Sequence, residues 1–190
     1  AVAAGKLTMM KNTVDPMAAA SGVMAARLAH HGYIGTELIM EGKEGFCQLL
    51  GPEWDMAKLT EGLGQSWRIG RCAFKAFPTE ALTHSPISGA LDLVKTHDIK
   101  PEQVAHVRVR TIARAKDILA DPTKYHPETK ETADHSLPYV IGAAIADRMI
   151  TPLQFTHERI HDPKLQALLQ KIEVVADPDY EKQFPAKKLS

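Results

Sequence analysis

The stretch Met17-Ala18-Ala19-Ala20-Ser21-Gly22-Val23-Met24-Ala25-Ala26-Arg27-Leu28-Ala29 constrains this chain more than any other feature. It is apolar on nearly every face, and such a helix needs neighbours that cover it all round. Its Ala and Gly content suits close approach to other helices. Asp15 can serve as N-cap and Pro16 fits the first helical position, so the pattern predicts a helix from Asp15 to His31, ended by Gly32. A chain of 190 residues offers few partners for it, which points to a piece of a larger helical structure. The ends agree with that expectation. Ala1 to Lys6 carries neither an initiator Met nor the apolar run of a signal peptide, and Phe184 to Ser190 stops without a closing element.

After a short helical stretch from Gly35 to Met40 comes a glycine-punctuated loop from Glu41 to Gly51, then a helical turn or two within Glu53 to Glu61. Ser66 to Phe77 reads as extended. Pro78 closes it, and Thr79 can cap a helix from Glu80 to His97 that Pro86 kinks or restarts. Val104 to Ile112 alternates apolar and basic residues with a period of two, the mark of a strand with one solvated face. A turn-rich loop runs from Ala120 to Thr132, and an apolar helix, interrupted near its start by Pro138, from Thr132 to Met149. Thr151-Pro152 and Asp162-Pro163 are helix starts, and Ile172 to Ala176 is a second strand able to pair with the first. The order gives a mostly helical α+β fold.

Lys and Arg number 23, as do Asp and Glu. That balance argues against a dedicated nucleic-acid binder, which needs a basic excess, and no apolar run approaches the roughly 20 residues that span a bilayer. Cys47 and Cys72 match no zinc or iron–sulfur ligand spacing and read as thiols in a reducing cytosol. Neither a metal nor a cofactor is expected.

Two clusters carry chemistry. In the first, Lys75 lies just before the predicted helix start at Thr79, where free N–H groups favour an anion. Glu80 and His84 follow at a spacing of four, suited to proton transfer or to a routine helical pair. In the second, Glu131-Thr132-Ala133-Asp134-His135-Ser136-Leu137-Pro138-Tyr139, His135 and Tyr139 share that spacing and could do acid–base work. The alternative is N-capping by Asp134 or Ser136 with Tyr139 in the core. His30 and His31 read as partners of a helix C-terminus, and His157 with His161 as a surface pair.

These two clusters, in this order and with Ala143-Ala144-Ile145-Ala146-Asp147 behind them, resemble the MmgE/PrpD family, which includes 2-methylcitrate dehydratase, cis-aconitate decarboxylase and an iminodisuccinate epimerase. The likeness extends to Lys11, to Gly45-Phe46, and to Asp162-Pro163-Lys164-Leu165 with Ile172-Glu173-Val174-Val175. It implies a homodimeric, cytoplasmic enzyme with a helical bundle and a smaller α+β lid, the site lying between them. Residues 1–50 would then end the bundle, and 51–190 would form the lid, with 132–190 packing back toward the bundle.

By the same resemblance Lys11 matches a lysine at the decarboxylase active site, Lys75 matches a second lysine that binds substrate carboxylate, and Tyr139 matches an active-site tyrosine. Glu80 stands where the decarboxylase has a histidine and is closer to the dehydratase, whereas Thr83-His84 is closer to the decarboxylase. The expected catalytic set is Glu80, His84, His135 and Tyr139, with Lys11, Lys75 and Thr79 binding a small di- or tricarboxylate. The expected reaction is metal-independent dehydration of 2-methylcitrate or a similar acid. Decarboxylation, epimerisation and a catalytically silent lid or dimerisation piece are the alternatives.

Overall fold

The computed structural model describes residues 7–51 and 53–186. The chain divides into two compact units, one of Asn12–Phe74 and one of Lys75–Ser190 together with Ala1–Lys11.

In the first unit, helix α1 (Met10–His30) begins earlier than the cap at Asp15 predicts, and Pro16 lies inside it. A proline there removes the backbone bond to the residue four before it and crowds that residue's carbonyl. The predicted stop is present. Gly32 takes a φ of +88°, its N–H reaches the Ala29 carbonyl, and the Tyr33 N–H reaches Leu28, the paired bonds of a glycine-closed helix end. No residue of α1 is buried.

Gly35 to Met40 forms turns rather than the predicted helix, and short helices α2 (Phe46–Leu50) and α3 (Ala57–Thr60) follow. The predicted extended segment from Ser66 to Phe77 instead holds a 3-10 turn at Arg68–Arg71. A strand needs a neighbour to take its backbone bonds, and the described residues of this unit contain no strand. Its aromatic side chains accordingly lie open: Trp67 is 68% and Phe74 100% exposed.

The second unit holds the core. Helix α4 (His84–Thr96) is followed by strand β1 (Val107–Thr111) and α5 (Ala113–Leu119). Then come α6 (Lys130–Ala133), α7 (Leu137–Asp147), α8 (His157–Ile160), α9 (Pro163–Leu169), strand β2 (Ile172–Ala176) and α10 (Pro178–Glu181). The two strands pair in parallel, from Val107 opposite Ile172 to Thr111 opposite Ala176. Parallel pairing requires a crossover, and α5 to α9 supply it. The alternation read in the sequence is present: Val109 and Thr111 face inward, while Arg108 lies outside and pairs with Glu173, its register partner, at 2.8 Å.

Every residue of α7 from Leu137 to Ile145 is buried, packed against α4, α9 and β2. Helix α7 begins later than predicted because Ser136 caps it, its Oγ accepting from the Tyr139 N–H at 3.0 Å, with Pro138 harmless in the first turn. The loop predicted from Ala120 to Thr132 contains a 3-10 turn at Pro122–Tyr125 and the start of α6. Asp162 caps α9 as predicted, accepting from Lys164 and Leu165. The mostly helical α+β class stands. Among the described residues no helix is long and apolar enough to cross a membrane.

Candidate functional site

Both polar clusters lie in the second unit, and one backbone bond joins them: the Glu80 N–H donates to the Asp134 carbonyl at 3.1 Å. Around that bond the chain is tightly held. The Lys75 ammonium donates to the Thr79 carbonyl at 2.7 Å, which leaves two of its three N–H groups for another acceptor. Thr79 is buried, its hydroxyl accepting from the Thr83 hydroxyl at 2.8 Å.

The helix start differs from the prediction in one consequential way. Glu80, not Thr79, is the cap, and it caps a 3-10 turn (Ala81–Thr83) that leads into α4. Its Oε2 accepts the Leu82 N–H. The donor end expected to receive a substrate carboxylate is therefore met by the protein's own carboxylate. Glu80 and His84 also fall on different elements, so they do not form one helical pair.

His84 stands edge-on to Phe77, ring centroids 5.4 Å apart. Burial pushes its pKa below the usual histidine value, aided by the adjacent Lys75 charge and outweighing the Thr79 backbone and the Glu80 carboxylate that favour the charged form. Its Nε2 is buried with no hydrogen-bond partner.

In the second cluster His135 precedes α7 rather than lying on it, so its expected shared face with Tyr139 does not form. His135 Nδ1 meets Asp134 Oδ1, and the other oxygen of Asp134 accepts from Lys130 Nζ at 2.9 Å. Tyr139 is fully buried, its hydroxyl donating to the Gln154 carbonyl at 2.5 Å and its ring 5.9 Å from Phe155. Desolvation raises its pKa well above the ordinary phenol value, so it stays a neutral donor.

Lys11 is half-buried in the first turn of α1 and belongs to the same compact unit as Lys75. One backbone link thus joins the segment of Lys75, Thr79, Glu80 and His84 to that of Asp134 and His135, while Tyr139 lies in the core. Sequence reasoning treated Asp134 only as a possible cap. Its spacing of four from Lys130, with His135 adjacent, was the available signal of a larger part.

A separate groove of about 680 Å³ runs between α4 and β1, lined by Gly89, Leu93, Val107, Arg108 and Ile141 among others. It is mostly apolar and includes none of the clustered residues. Among the described residues no group of three or more His, Cys, Asp or Glu side chains is arranged to hold a metal. A family model described as the MmgE/PrpD C-terminal domain matches residues 77–190.

Proposed function

The chain belongs to the MmgE/PrpD family, whose members are generally lyases or dehydratases. From that premise we propose that it is part of a lyase whose reaction is dehydration of 2-methylcitrate or a similar small tricarboxylic acid. The observation that supports the reading is the Glu80 to Asp134 backbone bond, which ties the segment of Lys75 and Glu80 to the sequence-distant segment of His135.

Taking a proton α to a carboxylate builds up carbanion-like charge, and a hydroxide leaving group needs a proton donor. In this reading Lys75, tethered to Thr79 but with donors to spare, binds a substrate carboxylate, with Lys11 as the second cation. Glu80 and His135 are the groups that move protons. The Oε1 of Glu80 accepts the α proton while its Oε2 stays on the Leu82 N–H, and His135 in its imidazolium form gives its Nε2 proton to the leaving hydroxide, which departs as water. His84, held neutral by burial and positioned by Phe77, lines the same site. Tyr139 reaches a reacting atom only by releasing the Gln154 carbonyl. The α+β unit acts as a lid over a helical bundle to which residues 1–50 contribute, in a cytoplasmic homodimer.

Proton NMR of 2-methylcitrate, citrate and cis-aconitate, incubated with the longest natural polypeptide containing this chain, tests the reaction. Loss of 2-methylcitrate with appearance of the unsaturated acid is expected. Itaconate from cis-aconitate would replace dehydration by decarboxylation. Unchanged turnover and affinity in Lys75→Ala would reduce the unit to a silent lid or dimerisation piece.

A further inference from the structure

Asp134 is 6% exposed and is used at three points at once. Its carbonyl holds the Glu80 N–H at 3.1 Å, its Oδ2 takes a proton donor from Lys130 at 2.9 Å, and its Oδ1 faces His135 Nδ1. A carboxylate only accepts hydrogen bonds, so the nitrogen it faces must carry the proton. In a neutral imidazole the other nitrogen then holds the lone pair. We propose that Asp134 is the positioning residue of the site: it fixes His135 as the Nδ1–H tautomer with Nε2 free to exchange a proton, and through its carbonyl it sets where Glu80 stands. This rests on the catalytic reading of His135 and Glu80 above, but its geometry is testable without turnover.

Lys130 makes the test directional. In Asp134→Asn an amide that keeps its oxygen on the Lys130 ammonium turns its NH₂ toward His135 Nδ1. That donor demands an acceptor, and the ring must move its proton to Nε2. Nitrogen-15 spectra of the histidine rings, with His135 identified by its loss in His135→Gln, read this out. The expected result is Nδ1–H in the natural chain above the histidine pKa and Nε2–H in Asp134→Asn. Lys130→Met, which keeps the carboxylate, should retain Nδ1–H and covers the case in which Asp134→Asn fails to fold.

An Nε2–H tautomer in the natural chain, or Nδ1–H retained in a folded Asp134→Asn, would overturn the proposal. In an active enzyme the inverted tautomer should lower kcat by about a hundredfold or more, with Asp134→Glu recovering part of it and the pH profile. Inversion with unchanged turnover would support the positioning by Asp134 and sink the catalytic reading of His135.

Discussion

Helices α1 and α7 are both rich in Ala and apolar residues, yet the first buries nothing and the second buries every residue from Leu137 to Ile145. The difference lies in their neighbours rather than in the helices. Helix α7 has α4, α9 and β2 packed around it within its own unit, so its apolar surface is removed from water at about 25 cal/mol per Å². For α1 the described residues supply no such cover, and Met17, Val23 and Met24 are each more than half exposed. Apolar composition states what a helix requires; only tertiary context states whether it is met.

The largest expected contrast comes from truncating one side chain in each helix. Ile141→Ala opens a cavity in the core and should cost about 2–5 kcal/mol, whereas Met24→Ala should stay within about 0.5 kcal/mol. Denaturant midpoints measured on each variant check both.

Tyr139→Phe comes next. It strips the donor from the buried Gln154 carbonyl and should cost about 1–3 kcal/mol. A loss of turnover far beyond that, at temperatures where the variant is folded, would show that the hydroxyl leaves Gln154 to act on substrate.

A single substitution made twice sharpens the comparison. At Gly142 a new Cβ would lie 2.9 Å from Leu169 Cδ1 and 3.2 Å from Leu165 Cδ1. Both leucines are buried in the core and cannot swing away, so Gly142→Ala should destabilise by about 1 kcal/mol or more despite the better helix propensity. At Gly22 nothing lies within 4 Å, and Gly22→Ala should instead stabilise α1 by roughly 0.5–1 kcal/mol. Opposite signs in paired thermal melts and circular dichroism are the prediction; a destabilised Gly22→Ala would mean that α1 is covered as closely as α7, and a stabilised Gly142→Ala that the core yields to the new methyl.

The smallest effect is in pH. His84 has a folded pKa below its unfolded value, so the unfolded chain binds more protons and stability falls as pH drops through the histidine range. Between about pH 7 and pH 5 the natural chain should lose slightly more stability than His84→Gln, measured by urea titration at each pH.

Much of the second unit was legible because its signals are local. Period-two alternation marked β1 and Asp162-Pro163 marked the start of α9, just as Gly32 marked the end of α1 in the first unit. Illegible were features decided by competition between nearby groups. The Glu80 carboxylate reached the Leu82 N–H and took the capping role from Thr79, which split the predicted pairing with His84. Ser136 took the cap of α7 and left His135 outside the helix it was expected to share with Tyr139. The Glu80 to Asp134 bond joins segments over fifty positions apart, and no spacing rule reaches that far. The extended reading of Ser66 to Phe77 had propensity on its side but no second strand to bond with.

The central claim is that Lys75, Thr79, Glu80 and His135 form one binding site for a small carboxylate. Titrating citrate into nitrogen-15-labelled chain and following the backbone amides tests this most directly, since binding needs no turnover. The account predicts saturable shifts that cluster at residues 75–80 and 134–136. Shifts confined to the groove beside Val107 and Arg108, or no saturable shift at millimolar citrate, would contradict it.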